Sequence, residues 1–132
     1  MSGLSSSFLR VRYRETDQMG MAWHGEYLAW FEVGRTDWLR ARGFTYRDLE
    51  AAGLRLPVIA AEVRYLKPAR YDDLLEVATI LRKATGVRVS FAYEVRREGT
   101  AGPLATGLTE HAAVDATGRP RRLPPDLRRC LS

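Results

Sequence analysis

Cysteine is almost missing from this 132-residue sequence: Cys130, near the C-terminus, stands alone. A lone cysteine excludes a disulfide framework within the chain, and a reducing cytoplasm is the expected compartment. Histidine is nearly as scarce, with only His24 and His111. Two widely spaced His and one Cys make no zinc set, so no metal is expected. No apolar run is long enough to cross a membrane. The apolar part of the opening stretch, MSGLSSSFLRVRYR, is too short for a signal peptide. The glycines form neither GxGxxG nor a P-loop, which removes support for nucleotide folds. Lysine is reduced to Lys67 and Lys83, so nearly all of the 21 basic residues are Arg, against 16 acidic ones, for a formal charge of +5. That balance fits nucleic acid, an acidic protein or a phosphorylated cofactor, and equally a plain bias toward Arg. The charges are scattered, apart from Arg96-Arg97, Arg119 to Arg122 and Arg128-Arg129, and no nucleic-acid motif accompanies them.

What is present is concentrated between Tyr13 and Gly43. Glu15 to Gly25 is a polar, Gly-punctuated loop carrying Asp17 and His24. Glu26 to Arg42 reads as a helix, with Tyr27, Trp30, Phe31, Gly34, Trp38 and Ala41 on one stripe. Leu28 and Leu39 widen that stripe and predict a helix covered on more than one side. Gly43 ends it. A mid-helix glycine costs about 1 kcal/mol relative to Ala, so Gly34 predicts close approach of another backbone, that of a sheet. The loop delivers Asp17 to the helix N-terminus, where free N–H groups and a partial positive charge lie.

The rest of the chain sets out a single domain, residues 1–132. Met1 to Ser7 is expected to fray, and Phe8 to Arg14 to form a first strand. Thr45 to Ala52 reads as a short helix capped by Thr45, with Asp48 three residues on. Val58 to Leu66, Leu74 to Lys83, Val87 to Arg97 and Leu104 to Asp115 read as strands. Leu75, Val77, Thr79 and Leu81 share one face. Val87, Val89, Phe91, Tyr93 and Val95 share another. A final helical turn is expected at Asp126 to Cys130. Short turns between strands require antiparallel pairing. The fold class is therefore α+β, an antiparallel five-stranded sheet wrapped around one long central helix.

Asp17 is the first candidate for chemistry, against the plainer reading of a turn-forming Asp. His24 fits a general base, a donor or a helix cap. Glu32 is expected to pair with Arg35 or another cation, and His111 to be structural. Lys67, Arg70, Lys83 and Arg88 lie at strand ends and turns, where they suit a phosphate tail or simply solvent. No signature supports a nucleophilic triad at Ser5 to Ser7 or Cys130.

Tyr13, Thr16, Asp17, Gly20, His24, Tyr27, Leu28, Phe31 and Glu32 form a pattern that resembles the signature of the hotdog-fold thioesterases of the 4-hydroxybenzoyl-CoA thioesterase family. That family includes acyl-CoA thioesterases associated with the bacterial Tol–Pal system. Tyr65, Pro68, Ala69, Tyr71, Asp72 and Asp73 match a second block. Gly118-Arg119-Pro120 with Leu123-Pro124 matches the family's ending. The resemblance implies an acyl-CoA thioester hydrolase that needs no cofactor. It implies a homodimer with sites between subunits, pairing again into a tetramer. Asp17 would be the catalytic carboxylate, as nucleophile or as general base. Backbone N–H groups near His24 and Gly25 would hold the thioester oxygen. Trp23, Val58 and Ile59 are expected to line the acyl pocket. Relatives carry a His-Ala-Asn-Tyr run where this chain has His24-Gly25-Glu26-Tyr27, so Glu26 adds a negative charge near Asp17. The readings left open beside this one are an acyl-CoA or acyl-carrier-protein binding module without turnover, a hotdog dehydratase or hydratase, and a nucleic-acid binder whose affinity falls steeply with salt.

Overall fold

The inner strands form where apolar and polar residues alternate between turn residues, and the one long amphipathic run becomes a helix. A computed structural model describes residues 3–131. In chain order it contains β1 (Leu4–Arg10), α1 (Glu26–Arg40), α2 (Tyr46–Ala51), β2 (Val58–Tyr65), β3 (Leu74–Ala84), β4 (Arg88–Arg97), β5 (Pro103–Ala112) and α3 (Pro125–Leu131). A 3-10 turn occupies Tyr13–Glu15. The five strands make one sheet in the order β1-β3-β4-β5-β2, and every neighbouring pair is antiparallel. The expected α+β class is therefore present.

Leu75, Val77, Thr79 and Leu81 of β3 are buried, as are Val89, Phe91, Tyr93 and Val95 of β4. They face α1, whose Tyr27, Trp30, Phe31, Gly34, Trp38 and Leu39 are buried in turn. Phe31 stacks on Tyr93 with ring centroids 4.3 Å apart, and Trp38 meets Phe91 edge-on at 5.5 Å. Each fully buried side chain of this size contributes about 1.5–3 kcal/mol, so this aromatic seam dominates the core. Gly34 is what lets the helix approach. A methyl group there would lie 2.3 Å from Thr79 Oγ1 and 3.0 Å from Val77 Cγ1. On β5, Gly107 makes the matching room, because a methyl group there would fall 2.2 Å from the Phe31 ring.

Several expected boundaries move. The first strand is Leu4–Arg10, not Phe8 to Arg14, and it takes in the serine run from Ser5 to Ser7 expected to fray. Met1 and Ser2 lie outside the described residues. The strand is held by pairing with β3, from Leu4 opposite Ile80 to Arg10 opposite Leu74. The Trp38 indole also donates to the Gly3 carbonyl at 2.7 Å. Backbone pairing at a sheet edge needs no apolar alternation, which is why the serines were not read as strand. The helix closes at Arg40, two residues before Arg42, and Ala41 is exposed. Arg42 is drawn away: its guanidinium lies 3.6 Å from the Trp38 ring centre and donates to the Trp38 carbonyl and the Ser5 hydroxyl. Leu28 is exposed, so one flank of α1 stays open in the single chain. Val87 is likewise exposed and precedes β4. Glu32 is exposed and makes no ion pair with Arg35 among the described residues. Arg35 turns into the core instead, where its charge acts on the Tyr46 and Tyr93 hydroxyls.

Candidate active site

Beyond β1 the chain must reverse to reach α1, and a buried carboxylate organises the reversal. Glu15 Oε1 accepts the Arg12 N–H at 2.7 Å. Its Oε2 accepts the Arg12 guanidinium at 3.2 Å and the Trp30 indole N–H at 3.3 Å. Burial is the largest single influence and would raise the Glu15 pKa, but the Arg12 backbone bond, the Arg12 guanidinium and the Trp30 indole together outweigh it. The carboxyl is held below its usual range. The Glu15 carbonyl also accepts the Trp23 N–H at 2.8 Å, so one residue clips both ends of the intervening loop.

Asp17 sits inside that clip. Its Oδ1 accepts the N–H of Met19 at 2.8 Å and of Met21 at 3.3 Å. Its backbone N–H donates to the Met21 carbonyl, and its carbonyl accepts from Gly20. Gly20 takes φ +78°, a conformation that side chains disfavour, and so closes the turn. One carboxylate oxygen is thus committed to the loop. Oδ2 has no hydrogen-bond partner among the described residues.

The mouth of α1 stands across from this loop. Gly25 is its N-cap residue, with no side-chain cap. The Trp23 carbonyl accepts the Glu26 N–H, and the Gly25 carbonyl accepts that of Leu28. The N–H groups of His24 and Gly25 have no acceptor among the described residues. Gly25 is needed because the Trp23 ring folds back over it, and a methyl group there would lie 2.1 Å from that ring. Trp23 and His24 rings sit 4.7 Å apart. The Tyr65 hydroxyl donates to the His24 carbonyl at 2.7 Å and ties the end of β2 to the helix mouth. Glu26 opens α1, where a negative charge complements the helix dipole.

Between loop, helix mouth and the β2 exit lies a cleft of about 330 Å³, lined by Asp17, Met19, Met21, Ala22, His24, Tyr27, Tyr65, Leu66, Lys67 and Pro68. Of the residues singled out in the sequence, Asp17, His24 and Lys67 come together here. Gly25 and Trp23 stand at the helix mouth behind His24. Arg70 pairs through its backbone with Met21. Val58 and Ile59 are exposed at the start of β2, where a break in register with β5 falls between Val58 and Ala60. Lys83 and Arg88 line a separate hollow of about 150 Å³ with Thr85, Ser90 and Glu110. Among the described residues no cluster of His, Cys, Asp or Glu could hold a metal ion.

Sequence reasoning missed Glu15, Tyr27 and Tyr65 as parts of the site. Tyr27 reads as core, and burial does raise its hydroxyl pKa, yet one edge of it reaches the cleft. The Tyr65 hydroxyl reaches its acceptor across 41 positions of sequence, a pairing no local pattern announces.

The sequence profile described as the thioesterase-like superfamily matches residues 11–131. The Bacillus subtilis (strain 168) protein YneP, named provisionally as an acyl-CoA thioesterase, is 37% identical over 113 residues, covering 85% of this chain and 80% of YneP. The crystal structure of a hypothetical protein, TT1821, from Thermus thermophilus superposes with a TM-score of 0.91 at 37% identity, covering 96% of each chain. A DHNA-CoA thioesterase from Staphylococcus aureus also gives a TM-score of 0.91, at 35% identity, covering 96% of this chain and 87% of its own.

Proposed function

The chain belongs to the thioesterase-like superfamily, and from that premise we propose that it is an acyl-CoA thioesterase, converting acyl-CoA and water into a free carboxylic acid and CoA. The observation that carries the proposal is the convergence, in one cleft, of a carboxylate and the open end of α1. Asp17 is the catalytic group, with Oδ2 left for chemistry while Oδ1 anchors the loop. The unbonded His24 and Gly25 N–H groups are the donors for the thioester oxygen. As the carbonyl carbon becomes tetrahedral, negative charge grows on that oxygen. A fixed N–H donor is worth roughly 3 kcal/mol there. Collapse of the intermediate expels the CoA thiolate. Asp17 either attacks the carbonyl carbon, forming an anhydride that water then cleaves, or takes a proton from the attacking water.

The finer placement, with the 4-hydroxybenzoyl-CoA and Tol–Pal-associated branch, rests on the sequence blocks quoted above. Lys67 in the cleft and Arg70 beside Met21 are placed to meet the phosphates of CoA, with Lys83 and Arg88 as a second candidate pair. We further propose a cytoplasmic homodimer, pairing again into a tetramer. What supports it is β2, an edge strand with Val58, Ile59 and Tyr65 exposed along it. A second subunit there would bring Val58 and Ile59 against an acyl chain.

The test is release of free thiol from short, long and aromatic acyl-CoAs. Asp17→Asn, with an unchanged circular dichroism spectrum, is expected to lose at least about 100-fold in kcat. Wild-type rates in that variant would remove Asp17 from the mechanism. Turnover is expected to survive exhaustive chelation of metals. Saturable binding without thiol release by the wild type would identify a binding module instead. Label found in the Asp17 side chain after a single turnover in ¹⁸O-water identifies the nucleophile, since general-base catalysis places label only in the released acid.

A further inference from the structure

Glu15 is a buried, charged residue that the hydrolysis itself does not use. It lies two positions before Asp17, and all three of its side-chain partners are donors: the Arg12 N–H, the Arg12 guanidinium and the Trp30 indole. Its carbonyl receives the Trp23 N–H. The Trp23 carbonyl in turn accepts the Glu26 N–H. A trans peptide points its C=O and N–H in opposite directions, so this bond also fixes where the His24 N–H is aimed. Trp30 lies on the first turns of α1, and its ring packs on Tyr27 at 4.6 Å. Tyr27 packs edge-on against Tyr65 at 5.0 Å, and Tyr65 holds the His24 carbonyl. The Asp17 loop and the helix mouth therefore meet through Glu15 twice, once through its backbone and once through its carboxylate.

We infer that Glu15 is a positioning residue for thioester hydrolysis, setting the distance and angle between the Asp17 carboxylate and the N–H groups at the start of α1. The inference rests on the functional reading above. The alternative is a merely structural carboxylate, whose loss lowers stability and leaves the folded fraction fully active. Geometry distinguishes the two, because the carboxylate bridges the two halves of the site rather than bracing one of them. Gln in its place keeps one oxygen acceptor but turns an NH₂ group toward a donor, so it breaks the Trp30 or the Arg12 contact while nearly preserving volume.

The experiment compares Glu15→Gln, Trp30→Phe and the double variant with the wild type. The ¹H–¹⁵N indole resonances of the three tryptophans report the contact without any substrate. The Trp30 resonance is expected to shift in Glu15→Gln while those of Trp23 and Trp38 move little. With acyl-CoA, kcat is expected to fall by about 10- to 100-fold, the scale of a small misplacement of reacting groups, with KM within twofold of the wild type. Trp30→Phe, which removes the donor and keeps an apolar ring, is expected to lower kcat as well. The double variant is expected to be no slower than Glu15→Gln alone. Should Glu15→Gln fail to fold, Trp30→Phe decides: a wild-type kcat in that variant overturns the inference. So does a folded Glu15→Gln with full kcat, or with a raised KM alone. A wild type that releases no thiol overturns the functional reading and this inference together, whereas turnover by the wild type with full kcat in the variants overturns the inference only.

Discussion

At the scale of single residues, the ionisable groups of the core divide by what they face. Glu15 meets donors and stays charged. His111 meets Thr109 Oγ1 at 2.9 Å and the Leu56 carbonyl at 3.0 Å. Its pKa is pushed down to about 4 from 6.5 by burial, partly offset by the Leu56 bond, with the Arg35 charge adding to the effect of burial. The Leu56 carbonyl can only accept, so Nδ1 carries the proton. Nε2 then accepts from Thr109, whose oxygen accepts from the Tyr93 hydroxyl at 2.6 Å. Between about pH 6.5 and 4 the unfolded chain binds a proton at this His that the folded chain refuses. Stability is therefore complete above the unfolded value and drains away as pH falls toward the folded one, by on the order of 3 kcal/mol. Urea unfolding from pH 7 to pH 4 is expected to show this slope, and His111→Gln to flatten it. That Asp17 and His24 line one cleft is in keeping with the short motif that carries both of them in the sequence. Glu15 belongs to the same run of residues, but its importance comes from Trp30, and nothing local says that an indole 15 positions away points back at it.

At the scale of elements, Gly34 gives the sharpest test of how helix and sheet fit. Alanine is the better helix former by about 1 kcal/mol, yet its methyl group would strike Thr79 Oγ1 and crowd Val77. Gly34→Ala is expected to destabilise by about 1–3 kcal/mol in equilibrium unfolding. Thr79→Ala in the same chain is expected to return part of that loss, since Thr79 Oγ1 is buried without a hydrogen-bond partner and its removal breaks no bond. A glycine inside an aromatic stripe announced a close approach of the sheet, but as backbone, whereas the atoms that meet Gly34 are the side chains of Thr79 and Val77. The sequence also announced β2 to β5 to within a few residues: burial on one face sets the alternation of β3, β4 and β5, whereas β2, exposed along nearly its whole length, is bounded by Pro68. It misplaced β1 because a strand held by backbone pairing leaves little trace in side-chain pattern. It overran α1 because the end of that helix is decided by Arg42 folding onto Trp38, a tertiary contact.

At the scale of the whole molecule, the sheet has two free edges, and they differ. β1 carries three serines between an exposed Leu4 and Phe8, whereas β2 is exposed along nearly its whole length and bears Val58 and Ile59 side by side. If the proposed subunit pairing uses that edge, Ile59→Lys is expected to shift the light-scattering mass toward the monomer and to make specific activity fall on dilution. A wild-type monomer at all concentrations would argue against the pairing. The placement of the cleft itself follows from α1 and the sheet. Phe31 rests in the space left by Gly107 of β5, and Gly34, one turn further, admits Thr79 of β3, on the other side of β4. Two such keys on one shaft stop it from sliding and from rolling. Room for acyl groups of different bulk is therefore expected to come from rotation of the Met19, Met21 and Leu66 side chains that line the cleft, and not from movement of α1. Deuterium uptake is accordingly expected to be slow along the shaft.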